Sequence, residues 1–132
     1  MPHEDGDAYF PVVATVSLGG SLVLDVTEKR KVDGDAGDEG PNELKRWRIL
    51  QEPRSLLLTT GSAYTDTLHG IAEITEDANL GPETVANWSL LGDQEAIEAN
   101  GGRNARTDRI SLTYRDVKKV SNVASKLFGK TR

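Results

Sequence analysis

The apolar and polar positions of this chain fall into short runs of strand length rather than long helical stripes. Residues 9–26, YFPVVATVSLGGSLVLDV, are rich in Val, Leu and Thr and are interrupted once, at Gly19-Gly20. That pattern predicts two strands joined by a tight turn. Trp47–Leu50 and Ser55–Thr60 read as short strands on either side of a turn at Glu52-Pro53-Arg54, and Leu68–Ile74 as a further strand. The clearest strand runs from Arg109 to Val117. It alternates strictly, with Ile110, Leu112 and Tyr114 on one face and Arg109, Ser111, Thr113 and Arg115 on the other. Between these runs lie polar stretches without periodicity: residues 28–46, with glycines among many charges, and residues 75–108, broken at Gly81-Pro82 and Gly101-Gly102. A short helix is expected near Asp93–Ala99 and one or two helical turns near Ser121–Lys130. Short strands separated by Gly- and Pro-bearing loops predict an all-β, antiparallel architecture of the jelly-roll (double-stranded β-helix) kind with minor helical segments. The six to seven expected strands are fewer than the eight of a complete jelly roll.

Composition narrows this picture. At 132 residues the chain is the size of one domain, and 36% of it is hydrophobic, which suits a folded chain. No apolar stretch reaches the roughly 20 residues that a membrane helix needs. The first nine residues, MPHEDGDAY, lack the pattern of a signal peptide, so an intracellular location (cytoplasm, nucleus or both) is expected. With no cysteine, the chain has no disulfide partners, no thiolate metal site and no cysteine nucleophile. The formal net charge of −5 gives no support to nucleic-acid binding, although Arg103-Asn104-Ala105-Arg106 and Lys118-Lys119 are local basic clusters.

Three features carry chemistry. In an extended His3-Glu4-Asp5 the first and third side chains point the same way, so one imidazole and one carboxylate converge on a point. These are two of the three ligands of a facial triad for non-haem Fe(II). The bland alternative is a solvated chain end. His69 is the second of the two histidines and lies within Leu68-His69-Gly70-Ile71. It is either a hydrogen-bonded core residue or the third ligand, with the remaining iron positions open to a bidentate co-substrate and to O2. The polar face of Arg109–Arg115, with an arginine at each end and hydroxyls between, suits a dicarboxylate because guanidinium forks bind carboxylates in pairs of hydrogen bonds. Its alternative is an ordinary amphipathic strand with one face in water.

The order His-x-Asp, His, Arg resembles that of the AlkB dioxygenases, and the wording looks most like their sixth homologue. Met1–Gly6 with Ala8–Pro11 resembles the first ligand strand. Ser17–Gly19 with Val23–Asp25 resembles the hairpin after it. Glu52–Leu57 and Ala63–Thr65, leading to Leu68–Ile71, resemble the segment of the distal histidine, and Arg109–Arg115 resembles the co-substrate strand. The four blocks cover about half of the chain. The resemblance implies Fe(II) on His3, Asp5 and His69, and 2-oxoglutarate with its distal carboxylate on Arg109, Ser111 assisting. Arg115 would then sit nearer the metal, pairing with the other carboxylate or orienting Asp5.

The activity implied is decarboxylation of 2-oxoglutarate to succinate and CO2 coupled to C–H hydroxylation. In this family that is oxidative demethylation, with alkylated nucleic acid as the implied substrate class. Two alternatives stand beside it: a truncated jelly roll without catalytic function, and a hydroxylase of protein or small molecules. The family's Asn-x-Tyr motif and nucleotide-recognition lid lie upstream of the first ligand and have no counterpart here. The expectation is therefore that residues 1–132 are the C-terminal part of a dioxygenase domain, beginning at an internal methionine, with long loops at 28–46 and about 75–106.

Overall fold

A computed structural model of the chain describes residues 1–30 and 44–119. Most of the loop expected at 28–46, and the helical turns expected near 121–130, fall outside these residues. The described chain is mainly β. Strands β1 (Tyr9–Gly19), β2 (Leu22–Glu28), β3 (Arg46–Gln51), β4 (Leu56–Thr60) and β5 (Thr67–Gly70) are followed by a two-residue pair, β6 (Glu76–Asp77) and β7 (Asn104–Ala105), and by β8 (Arg109–Val117). Helical structure is confined to α1 (Gly61–Thr65), α2 (Gln94–Ala99) and a 3-10 turn at Trp88–Leu90.

The long strands form two antiparallel three-stranded sheets, ordered β4-β1-β8 and β3-β2-β5. Residues of both sheets line one cavity, so the sheets face each other in the jelly-roll manner. This corrects the sequence reading in one respect. Residues 9–26 do form two strands, but not a hairpin, because β1 and β2 belong to different sheets. Gly19 takes φ +85, the Gly20 N–H donates to Asp108 O at 2.8 Å, and Gly19 pairs with Arg109. β1 thus spends its hydrogen bonds on β4 and β8, and the glycine turn carries the chain across the sandwich. A β-carbon on Gly19 would meet Asp108 O at 2.7 Å, so only glycine fits this crossing. The turn at 52–54 likewise passes from one sheet to the other, and the strand expected over 68–74 stops at Gly70.

Pro11 lies inside β1, which is a central strand, where a missing N–H would break a ladder. The β1–β8 register shifts between Tyr9 and Val13, and that irregularity accommodates the proline.

Packing is uneven across the layers. The apolar core is Val23, Leu50, Leu80, Val85, Trp88 and Leu91, on the side of β2 and β3 away from the other sheet. The polar stretch 78–103 therefore serves as a lid that buries this side. Asn87 holds it on by acting as a strand: its side chain accepts from Leu50 N and donates to Leu50 O, both at 2.9 Å, satisfying the edge of β3. Burying each such large apolar side chain contributes about 1.5–3 kcal/mol. The outer face of β4-β1-β8 has no comparable cover among the described residues. Leu58, Tyr114 and Ile110 are 58%, 59% and 63% exposed there.

Candidate active site

The space between the sheets is a cavity of about 270 Å³, floored by Val13, Thr15, Leu24 and Ile49, with His3, His69, Arg109, Ser111 and Arg115 on its walls. Five of the six residues singled out in the sequence thus meet at one cavity. Period-two alternation explains why β8 contributes four of its lining residues. Its polar face, Arg109, Ser111, Thr113 and Arg115, turns inward, and its apolar face turns outward.

At one end of the cavity the N-terminal segment lies along β5. His3 N donates to His69 O and His69 N to His3 O, both at 2.9 Å, which forms an antiparallel bridge. The two imidazole rings lie 4.6 Å apart between centroids, tilted by 56°. Gly70 makes this approach possible, since a β-carbon there would stand 3.2 Å from the Pro2 backbone. Burial lowers the His69 pKa; Asp5 raises it, while His3 and Arg115 lower it further. The balance keeps His69 neutral at pH 7, the form whose lone pair can bind a metal.

Asp5, the sixth residue, follows the bridge. Its carboxylate is only 7% exposed and is bound to Arg115 through a single oxygen, Oδ1, at 2.7 Å from Nε and 2.5 Å from the terminal nitrogen. Oδ2 makes no hydrogen bond among the described residues. Arg115 in turn stacks over the Tyr9 ring at 5.6 Å. In this arrangement no three His, Asp or Glu side chains among the described residues stand close enough together to hold a metal ion. The donor chemistry still fits one: two adjacent imidazoles and a carboxylate beside them with an oxygen to spare.

Arg109 defines the other end. Its guanidinium donates to Gln51 Oε1 at 2.5 Å, Ser17 Oγ at 3.1 Å and Ser111 Oγ at 3.0 Å. All three partners are neutral, and Ser17 and Gln51 are buried. Arg109 Nε is buried with no partner among the described residues. Burial lowers its pKa from the ordinary arginine value, yet arginine stays charged at neutral pH. A half-buried cation with neutral neighbours and a buried spare donor has the chemistry to take an anion, because an unsatisfied buried donor is costly.

The sequence reading missed Ser17 and Gln51, which aim Arg109, and Tyr64 and Lys29, which hold the N-terminal segment. Ser17 was visible as the polar position two steps beyond Val13 and Thr15 on the inward face of β1. The partners of Tyr64 and Lys29 lie far away in sequence, and no local pattern announces them.

No family model matches the chain. A curated relative does: over 122 residues, 91% of this chain, it is 36% identical to a protein of Danio rerio described as "Probable RNA/DNA demethylase ALKBH6". The chain is related to the AlkB proteins. It spans about half the length of this AlkB relative, 48% of it. The aligned part takes in most of the residues that bear the cavity, and the relation accords with the mainly β, jelly-roll-like architecture.

Proposed function

We propose that the chain is the iron- and 2-oxoglutarate-binding part of a dioxygenase that oxidatively demethylates alkylated nucleic acid. The observation that carries this reading is the half-buried Arg109, with no acidic partner among the described residues and a spare, buried Nε, across one cavity from two adjacent imidazoles and a carboxylate. An anion site at one end and nitrogen and oxygen donors at the other are what a dicarboxylate co-substrate spanning to a metal requires. The likeness to a Danio rerio protein described as a probable RNA/DNA demethylase supports the reaction class and the nucleic-acid substrate.

In this reading His3, Asp5 and His69 hold Fe(II). When bound, the iron supplies activation of O2 and chelation of the keto-acid end of 2-oxoglutarate. Arg109 offers its positive charge and the free Nε–H to the distal carboxylate, with Ser111 as a further donor. Gln51 and Ser17 keep the guanidinium from rotating. Arg115 neutralises Asp5 and holds its Oδ1, which would leave Oδ2 as the oxygen available to a metal. The apolar floor of Val13, Leu24 and Ile49 limits water around the co-substrate.

The test is an anaerobic titration of the chain with Fe(II) and 2-oxoglutarate, following the visible charge-transfer band of the chelate. A band in the wild type that vanishes in His69→Ala is expected. A folded wild type without a band would sink the proposal for these residues. A second reading, a hydroxylase of proteins or small molecules, is favoured by the net charge of −5. Turnover on N-methylated oligonucleotides would decide against it.

A further inference from the structure

The segment that carries His3 and Asp5 has little of its own to hold it. Between the His3–His69 bridge and the start of β1 at Tyr9, residues 4–8 belong to no ladder. Gly6 has φ +80, in a place where a β-carbon would meet nothing within 4 Å, and a turn follows at Asp7-Ala8. The path of a segment outside any ladder is set largely by the hydrogen bonds that reach it. Two long side chains do so at their tips. Arg115 takes the Asp5 carboxylate, and Lys29 takes the Glu4 carboxylate together with Thr65 O. Two contacts reach the backbone of the segment: Lys118 N donates to Ala8 O at 3.1 Å, next to the start of β1, and Tyr64 Oη donates to Gly6 O at 2.7 Å, next to Asp5 and across 58 residues of sequence.

We propose that Tyr64 is a positioning residue for the metal end of the site, whose phenol fixes the Asp5 carboxylate relative to the two imidazoles by holding the Gly6 carbonyl. The inference rests on the Fe(II) reading above. Its structural logic is economical. Tyr64 lies in α1, and His69 follows four residues after α1 ends. The stretch 64–69 thus carries one candidate ligand, pairs through His69 with the backbone of the second, and through Tyr64 sets the third. Tyr64 is tied to the frame by α1, whose last turn is closed by Asp66 N donating to Ser62 O at 2.8 Å. Arg115 cannot replace it, because a guanidinium on a long side chain fixes the tip of Asp5 and not the path of its backbone. Burial, and then the carboxylates of Asp5 and Asp7, raise the phenol's pKa, so it remains a hydrogen-bond donor throughout the neutral range.

The experiment compares the full chain with Tyr64→Phe and Thr65→Val. Each variant loses one hydroxyl from the same short helix, but Thr65 Oγ1 bonds Asp66 Oδ1 at 2.8 Å and does not touch the N-terminal segment. Anaerobic Fe(II) affinity is measured by competition with a chelating dye, the Co(II) absorption spectrum reports coordination, and thermal unfolding reports stability. Groups that orient metal ligands typically contribute 10–100-fold to affinity. Tyr64→Phe is expected to bind Fe(II) about 10-fold more weakly with an altered Co(II) spectrum, while 2-oxoglutarate binding by the metal-free chain is unchanged. Thr65→Val should match the wild type in both metal measurements. Wild-type Fe(II) affinity in Tyr64→Phe, or an equal loss in both variants, would overturn the proposal alone. A wild type that binds no Fe(II) would overturn this proposal and the reading beneath it together.

Discussion

Arg109 is the residue on which the proposed site turns, and among the described residues its neighbours show how a half-buried cation is held by neutral partners. Gln51 Oε1, Ser17 Oγ and Ser111 Oγ take its terminal nitrogens, and Nε is left over. Hydrogen bonds to a charged group contribute roughly 1.5–3 kcal/mol each. Replacing Arg109 by methionine keeps the apolar stem and removes the fork, so 2-oxoglutarate affinity should fall by at least about tenfold. Calorimetry on the metal-free chain measures this directly. Unchanged affinity would move the co-substrate away from β8. The alternation of β8 was legible in the sequence because a period of two assigns Arg109, Ser111, Thr113 and Arg115 to one face whatever surrounds the strand. Gln51 was not legible, because its role depends on a register partner supplied by folding.

Among the elements, the least predictable from sequence is the segment 75–106, whose polarity reads as loop yet whose few apolar residues bury one side of β2 and β3. What secures it is a buried ionic pair. Asp77, 1% exposed, receives Arg106 Nε and a terminal guanidinium nitrogen at 3.0 and 2.6 Å and Asn104 Nδ2 at 3.0 Å, joining β6 to β7. Arg106 also donates to Ala72 O, and Asn104 to Ser21 O, which anchors the pair to the sandwich. Burial by itself raises the Asp77 pKa, but the bonds from Arg106 and Asn104 and the charge of Arg106 prevail, and it lies below its ordinary value. A depressed carboxylate stabilises the fold fully above the unfolded-state pKa, and that contribution is lost as pH falls through the folded value. Asp77→Ala should lower the unfolding free energy by about 3–5 kcal/mol at pH 7, because it strands the largely buried Arg106. The gap between wild type and variant should narrow as urea melts are taken from pH 5 downward. A gap that held constant into acid would mean that packing, and not charge, is what the substitution removes.

At the scale of the molecule, the layers are buried in an unusual order. One sheet is covered on both sides, by the cavity and by the 78–103 lid, and holds the apolar core. The other turns the polar face of β8 into the cavity, together with Val13 and Leu57, and turns Leu56 and Leu112 outward. Across β1 the outward row Leu56–Val16–Leu112 adjoins the row Leu58–Ala14–Tyr114. Contiguous apolar surface of this kind favours association. Leu56→Lys combined with Leu112→Glu should therefore reduce concentration-dependent self-association in sedimentation velocity, and leave the circular dichroism spectrum and Arg109-dependent 2-oxoglutarate binding intact. Equal sedimentation of the two proteins across the concentration range would show that this face does not drive association. The described helices are short, and none is long and apolar enough to cross a membrane.

The sequence by itself determined the mainly antiparallel β character, the range of β8 from Arg109 to Val117, the helix at 94–99, and the order of histidine, aspartate and arginine that pointed to AlkB relatives. These are local properties, set by alternation, turn residues and identity at short spacing. Only the tertiary structure decided that β1 and β2 lie in opposite sheets, because a glycine turn is compatible with a hairpin or a crossing until partner strands compete for its hydrogen bonds. It also decided that the arginine face of β8 looks inward. Alternation creates two faces, but the side that meets the interior depends on the strands that pack across it. The contacts that hold the N-terminal segment, from Tyr64, Lys29 and Arg115, join residues 25 to 110 positions apart, and no pattern in the intervening chain encodes such pairings.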